Sequence, residues 1–219
     1  MSTFAVIPIK RLQNAKQRLA DALPTGTRKA LAEAMVTDVL IALRRTRLID
    51  AVLVVSGDEG AIALASGYDA LDAITDRTDN GHNAAVQLGM RAARERGADR
   101  VLLVPGDVPA LDPAELDELL ARPERGPEVV IMPDRHGSGT NGLLLTGPEV
   151  ITPAFGPGSR LRHADLAAAA GARCEVAELT SLALDVDTGE DLDALITHLE
   201  NVHGGAANTR GMLARLGRR

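Results

Sequence analysis

Residues 101–113 read VLLVPGDVPALDP, an apolar run that leads through two prolines into a helix start. Val101–Val104 is apolar at every position, which predicts a strand buried on both faces of a sheet. Asp112 and Pro113 predict the first turn of a helix, because Asp is a favoured N-cap and Pro is favoured just after it. Strands of this kind separated by helices are typical of α/β proteins.

The same alternation extends in both directions along the chain. Further apolar runs predict strands, and apolar residues at helical spacing or capping residues predict helices. The predicted strands are Phe4–Pro8, Ala51–Val55, Val129–Met132, Leu143–Leu145 and Leu182–Val186, and the predicted helices are Thr27–Arg45, Gly81–Arg96, Asp112–Leu120, Ser159–Ala170 and Thr188–Leu199. We expect one α/β domain over residues 1–200, with a mostly parallel sheet covered by helices on both faces. Residues 201–219 contain four Arg and no acid, which predicts a basic, flexible tail or a partner contact.

Composition excludes several classes of function. The 219 residues are 45% hydrophobic and 25% charged, which is typical of a globular domain. A net charge of −6 and an aromatic content of 1% argue against a nucleic-acid-binding surface. No apolar run reaches the roughly 20 residues of a membrane helix, and no signal peptide is evident. The chain has a single cysteine, Cys174, so no internal disulfide can form and we expect a cytoplasmic protein. From the charge and the apolar runs we expect it to bind neither nucleic acid nor membrane.

Charged residues follow three of the predicted strands. Ligands of such sheets bind beyond the carboxyl ends of the strands. Lys10 and Lys16 follow the first strand, and in a chain with only three lysines they favour phosphate contacts over a merely solvated loop. Asp107, between two prolines, is placed to hold a hard cation or else to cap a turn. Asp185 and Asp187 share one face of the last predicted strand, where Asp187 is either a cation ligand or part of the following helix start.

Glycine-rich segments supply candidate anion sites. Gly137–Gly142 matches G-x-G-x-x-G but leads into a strand, so a nicotinamide site is rejected while an anion-binding loop remains. Gly156–Ser159 begins a helix whose first turn carries Arg160 and Arg162. That charge opposes the helix dipole and favours a bound anion, the alternative being that both side chains extend into water.

Read in order, these motifs resemble the guanylyltransferase family of coenzyme F-420 biosynthesis. They are P-x-K-x-L-x-x-A-K-x-R-L from Pro8, NGHNAA from Asn80, PGD-x-P from Pro105, GTNG from Gly139, FGPGS from Phe155 and DVDT from Asp185. The resemblance covers about residues 3–199 and implies a single-domain Rossmann-like nucleotidyltransferase fold. It also implies transfer of GMP from GTP to a phosphorylated three-carbon acid, which is phosphoenolpyruvate in bacterial members and 2-phospho-L-lactate in archaeal ones.

The resemblance further implies roles for individual residues. The residues that resemble contacts to the phosphorylated acid are Thr140, Gly156 and Ser159. Those that resemble nucleotide contacts are Pro8, Lys10, Lys16, Gly81 and Asn83. The residues that resemble Mg²⁺ ligands are Asp107 and Asp187, and the expected catalytic residues are Lys16 and Asp107. The G-x-G-x-R start of the wider nucleotidyltransferases is absent, and residues 10–18 stand in its place. The expected substrates are GTP and phosphoenolpyruvate. Contact with the next enzyme of coenzyme F-420 biosynthesis is left open.

Other functions remain open from the sequence. The acceptor could be 2-phospho-L-lactate or 3-phosphoglycerate. The same fold serves molybdenum-cofactor guanylyltransferases, cytidylyltransferases and glycosyltransferases, although Asp107 lacks the second Asp of the D-x-D that glycosyltransferases use. The alternative that is not an enzyme is a module that senses nucleotides without catalysing a reaction.

Overall fold

The computed structural model describes residues 1–12, 15–68, 71–123 and 126–217. Within these residues, seven strands form one sheet in the order β3-β2-β1-β4-β6-β5-β7. The strands are β1 (Thr3–Ile9), β2 (Ala51–Ser56), β3 (Leu71–Thr75), β4 (Arg100–Leu103), β5 (Glu128–Pro133), β6 (Thr140–Thr146) and β7 (Arg173–Val176). The pairs β1–β2, β2–β3, β1–β4 and β5–β7 are parallel, whereas β6 runs antiparallel to both β4 and β5.

Helices connect the strands and cover the sheet. They are α1 (Thr25–Arg45), α2 (Glu59–Ser66), α3 (His82–Glu95), α4 (Pro113–Leu120), α5 (Ser159–Ala169), α6 (Gly189–Asn201) and α7 (Ala207–Arg215), with a short 3-10 helix at Gln17–Leu19. No helix in the described part of the chain combines the length and the apolar character that crossing a bilayer requires.

The core lies in layers on the two faces of the sheet. β1 is buried along its whole length, and its alternate side chains point to opposite faces. Ile7 packs with Val36 and Leu40 of α1 on one face. Val6 packs with Val86 of α3 on the other. The predicted α/β class, with a mostly parallel sheet between helices, is confirmed.

The predicted strand Leu182–Val186 is wrong, because this segment begins with a turn and continues without regular secondary structure. Asn141 of β6 is buried, and its side-chain Nδ2 donates to the carbonyl oxygens of Leu182 at 3.0 Å and Ala183 at 3.1 Å. A side-chain amide thus satisfies carbonyls that a neighbouring strand would otherwise bind. The backbone N–H of Val186 donates to the carbonyl of Asp107 at 3.2 Å, which holds the segment at the carboxyl end of β4.

The described C-terminal residues differ from the expected flexible tail. Residues 207–215 form α7, and Leu213 of this helix is buried among α1 and α6 side chains. The buried carboxylate of Asp38 in α1 accepts hydrogen bonds from the backbone N–H groups of Asn208 at 3.1 Å and Thr209 at 2.7 Å. Asp38 therefore caps the N-terminus of α7 from another helix, and α7 packs on the same domain. The sequence prediction gave weight to the glycines and arginines and overlooked the apolar residues at helical spacing.

Candidate functional site

A cleft of about 1070 Å³ opens at the carboxyl ends of β1 and β4. Because β6 runs antiparallel to β4, the first residue of β6 reaches the same edge of the sheet. Among the predicted site residues, the cleft is lined by Pro8, Lys10, Lys16, Gly81, Asp107, Thr140, Gly156, Ser159 and Asp187. Residues that are far apart in sequence are thus brought to one cavity. Gln13 and Asn14, within the motif that starts at Pro8, lie outside the described residues.

Lys16 forms the centre of an ion-pair cluster on one side of the cleft. Its Nζ donates to the carboxylate of Asp107 and, at 3.2 Å, to Oδ1 of Asp187. The side chain is only 7% exposed. Burial alone would lower the pKa of Lys16, but the charges and hydrogen bonds of the two carboxylates outweigh it and raise the pKa. Lys16 is therefore a fixed positive charge between two acids.

The residues around Asp187 leave its carboxylate free to face Lys16. Thr188 and Asp191 form a capping box at the start of α6, with Thr188 Oγ1 accepting from the Asp191 N–H at 3.2 Å. Arg135 holds Asp191 in turn, with Nη2 2.7 Å from Oδ1. Asp187 takes part in this helix start through its backbone N–H, which donates to Asp191 Oδ2 at 3.1 Å, while its carboxylate faces Lys16.

Asp185 adds a third carboxylate beside this cluster. Burial raises its pKa, and the nearby charges of Asp107 and Asp187 raise it further, against a hydrogen bond from Asn141 Nδ2 at 3.1 Å and one from the backbone of Asp185 itself. Two acids therefore contact the buried lysine, and the third carboxylate lies close enough to feel the charges of both. Arg18 lies at the exposed rim, with Nη1 3.7 Å from Asp187 Oδ2. This excess of negative charge favours the binding of a further cation.

Two hydroxyl groups also line the cleft. Ser159 is the first residue of α5, and its Oγ lies 3.1 Å from Oγ1 of Thr140. The loop before α5 turns sharply, since Gly156 has φ 124° and Gly158 has φ 70°, conformations that favour glycine. The backbone N–H groups of Ser159 and Arg160 already donate to the carbonyls of Gly156 at 3.0 Å and Ser138 at 3.3 Å, so the two hydroxyls are the groups here that suit an anion.

The arginines of α5 brace this loop. Arg162 donates from Nη2 to the carbonyl of Ala154 at 3.1 Å and from Nη1 to that of Pro157 at 2.5 Å. Arg160 Nη1 donates to the carbonyl of Gly137 at 2.9 Å, which joins the two glycine-rich loops. Both side chains are exposed, as the alternative to a bound anion expected, but their guanidinium groups are held by loop carbonyls. Their charges are offset by loop carbonyls.

Asn83 is not among the residues that line the cleft. Its Nδ2 donates to the Phe155 carbonyl at 3.2 Å, and its Oδ1 accepts from the Phe155 N–H at 2.9 Å. Asn83 thus fastens α3 to the loop that precedes Gly156. Sequence reasoning also missed His82 as a cleft residue; its ring packs edge-on against Phe155, with centroids 5.2 Å apart. Burial, and then the charge of Lys10, lower the pKa of His82.

Comparison with known proteins identifies the family. The model of the family described as "Guanylyl transferase CofC like" matches residues 3–217. The chain belongs to this guanylyl transferase family. It is 55% identical over 217 residues to a phosphoenolpyruvate guanylyltransferase from Conexibacter woesei, covering 99% of this chain and 97% of that protein. It is 36% identical over 203 residues to a 2-phospho-L-lactate guanylyltransferase from Methanothermobacter thermautotrophicus, covering 93% and 88%.

Solved structures share the fold of this guanylyl transferase. A nucleotidyl transferase from Methanothermobacter matches with a TM-score of 0.68 at 20% identity, covering 92% of this chain and 99% of that one. The CMP:2-keto-3-deoxy-manno-octonic acid synthetase matches with a TM-score of 0.59 at 12% identity, covering 92% and 99%. The predicted family and the Rossmann-like nucleotidyltransferase fold are thus confirmed.

The geometry suits a guanylyl transferase that must hold two anionic substrates. The cleft is lined by a basic group fixed between two acids and by the two hydroxyls of Thr140 and Ser159. Two phosphorylated molecules that repel each other in water can be bound next to one another only where such groups offset their charge. The cleft is therefore a candidate active site.

Proposed function

We propose that this protein transfers GMP from GTP to phosphoenolpyruvate, with release of diphosphate, in the cytoplasm and as a step of coenzyme F-420 biosynthesis. The name of the relative that is 55% identical over nearly the whole chain supports this acceptor. The observation that carries the proposal is the cluster of Lys16, Asp107 and Asp187, which lines the same cleft as Thr140 and Ser159.

The two sides of the cleft would bind different substrates. Thr140, Ser159 and the backbone around Gly156 would hold the phosphorylated acid. Hydroxyl and N–H groups donate hydrogen bonds, and the ionised oxygens of this acid can only accept them. Four residues would contact the nucleotide: Pro8 near the end of β1, Lys10 and Lys16 in the segment after it, and Gly81 before α3. Asn83 would act by holding the acceptor loop in place rather than by direct contact.

The reaction needs little acid–base chemistry from the protein. The phosphate of phosphoenolpyruvate is already ionised at neutral pH, so its oxygen attacks the α-phosphorus of GTP without a general base. A P–O bond to the α-phosphorus forms, and the bond from the α-phosphorus to the bridging oxygen breaks, so diphosphate leaves with the electron pair. The fixed charge of Lys16 stabilises the negative charge that accumulates at these oxygens.

The residues present fit a bound Mg²⁺ ion. Among the described residues, no three metal-binding side chains lie together as a group that could hold a metal ion. Mg²⁺, however, is commonly held by one or two carboxylates together with substrate phosphates. Asp107 and Asp187 lie close together, since both carboxylates contact Lys16 Nζ, and an ion would bind beside that nitrogen. These two residues would hold the ion, which when bound neutralises phosphate oxygens.

The test is product formation with each candidate acceptor. The protein is incubated with GTP and Mg²⁺ and with phosphoenolpyruvate, 2-phospho-L-lactate or 3-phosphoglycerate in separate reactions, and the products are identified by mass spectrometry. Enolpyruvyl-diphospho-guanosine and diphosphate are the expected products. Turnover with 2-phospho-L-lactate alone would assign the acceptor of the archaeal relative. Diphosphate release with CTP in place of GTP, or none with any acid, would contradict the proposal.

A further inference from the structure

His163 lies beneath the acceptor side of the cleft and is fully buried. It belongs to α5, one helical turn after Ser159, and its ring packs edge-on against Phe155 with centroids 5.0 Å apart. The ring is too far inside the protein to be among the residues that line the cleft. Its two nitrogens nevertheless connect the acceptor loop to the hydroxyl of Thr140.

The hydrogen bonds of His163 determine which ring nitrogen carries the proton. Nε2 lies 3.0 Å from the backbone nitrogen of Ala154, whose N–H can only donate, so Nε2 must be the unprotonated acceptor. A neutral ring then has its proton on Nδ1, which lies 3.1 Å from Thr140 Oγ1 and donates to it. Burial, and then the charge of Arg162, lower the pKa of His163 to about 4, which keeps the ring neutral at pH 7.

This direction controls how many protons the hydroxyl pair can offer to a ligand. The bond between Thr140 and Ser159 uses one of their two hydroxyl protons. Because the ring donates to Thr140 and takes no proton from it, the second hydroxyl proton is left for the cleft. With the other tautomer, Thr140 would donate to Nδ1 and Ser159 to Thr140. Both protons would then be used internally, and the pair would present only lone pairs to an anion.

We infer that His163 is a positioning residue that keeps the Thr140–Ser159 pair a donor of one hydrogen bond to the anionic acceptor. The identity of that acceptor rests on the proposed function, but the direction of the hydrogen bonds does not. An ionised phosphate or carboxylate is acceptor-only, so a hydroxyl pair without a free proton would repel it. His163 thus affects acceptor binding while touching no substrate atom.

The first test uses the unmodified, ligand-free full chain. Nitrogen-15 NMR of the histidine rings at pH 7 reports which nitrogen of His163 is protonated, with His163→Gln used only to assign the signal or, if that variant does not fold, assignment through the backbone. The expected result is a neutral ring with the proton on Nδ1. A proton on Nε2, or on both nitrogens, overturns the inference whatever acid the enzyme uses.

The second test compares His163→Gln with His163→Asn. The Gln amide reaches the position of Nε2, so it can accept from Ala154 but cannot donate to Thr140, whereas the Asn amide lies near Nδ1 and can donate. His163→Gln leaves no donor at the position of Nδ1, so the direction of the Thr140 and Ser159 hydroxyls is no longer fixed, and we expect the KM for phosphoenolpyruvate to rise by up to about 10-fold, the effect of weakening one hydrogen bond to a charged group. The KM for GTP stays unchanged, and His163→Asn recovers most of the loss.

Two outcomes of the kinetic comparison would contradict the inference. Equal rises in KM for both substrates would indicate a general structural role, and equal effects of the two substitutions would show that donation to Thr140 is irrelevant. Absence of turnover in the wild-type protein with GTP and phosphoenolpyruvate would instead refute the proposed function, and the NMR result would still decide the tautomer.

Discussion

Replacing Asp107 by Asn removes one charge and hardly changes the shape of the side chain. The carboxylate contacts Lys16 Nζ, whose side chain is 7% exposed. Removing one partner of a fully buried ion pair costs about 3–5 kcal/mol. Here Asp187 remains 3.2 Å from Nζ and Asp107 is itself 27% exposed, so we expect a smaller loss of about 1–2 kcal/mol in the free energy of unfolding. For a chain of this size that lowers Tm by about 2–8 °C.

The loss of activity should be far larger than the loss of stability. Asp107→Asn removes a proposed Mg²⁺ ligand and also frees Lys16 from its position, so we expect kcat to fall by about 100-fold or more. The assay is diphosphate release with saturating GTP and phosphoenolpyruvate, repeated over a Mg²⁺ titration, and circular dichroism monitors the fold. Asp165→Asn, at an exposed position of α5, is the matched control and should match wild type.

The reasoning is refuted if Asp107→Asn turns over as fast as wild type at saturating Mg²⁺. It is also refuted if the variant loses cooperative unfolding altogether, since Asp107 would then be needed for the fold. Mn²⁺ binding measured by electron paramagnetic resonance gives a readout that does not depend on turnover. The Mn²⁺ affinity should fall in Asp107→Asn and stay unchanged in Asp165→Asn.

Three further substitutions test other parts of the structure. Asp185→Asn should raise Tm at pH 7: burial and the charges of Asp107 and Asp187 raise the pKa of Asp185, so its ionisation opposes folding above that pKa. The difference in Tm should shrink as the pH falls toward the ordinary value of 3.8, and a lower Tm at pH 7 would contradict it. Asp38→Ala should cost about 1–2 kcal/mol and expose the α7 arginines to trypsin, because α7 loses its cap; unchanged proteolysis would show that the apolar contacts of α7 suffice. Arg162→Lys should raise the KM for the acid by about 3- to 10-fold and leave that for GTP unchanged, because lysine cannot brace two loop carbonyls at once; an equal change in both constants would contradict it.

The sequence predicted those parts of the fold that follow from continuous apolar runs. β1, β2 and β4 are buried on both faces, so their composition alone marks them as strands. β3 and β7 lie at the two edges of the sheet with several exposed side chains, and nothing in their composition separates them from loops. Leu182–Val186 shows the opposite error, because its apolar pattern resembles a strand while the side chain of Asn141 replaces a pairing partner.

The candidate site was predictable where residues follow a strand end. Lys16 and Asp107 are 91 residues apart in sequence, yet the rule that ligands bind at carboxyl ends of strands places both at one edge. The rule does not reveal that the two form an ion pair, because side-chain direction depends on the loop. His163 had no signal at all, since a single histidine in a helix is ordinary, and only the positions of Ala154 and Thr140 give it a role.

The reversed direction of β6 has a consequence for how this enzyme family could diversify. Thr140 is the first residue of β6, and Gly156, Ser159 and His163 lie in the following loop and in the first turns of α5. The proposed acceptor site is therefore encoded by one continuous stretch of chain. The residues proposed for the nucleotide come from segments well before it, near the end of β1, after it and before α3. Exchange of that stretch between relatives would therefore alter which acid is accepted and leave the choice of nucleotide in place.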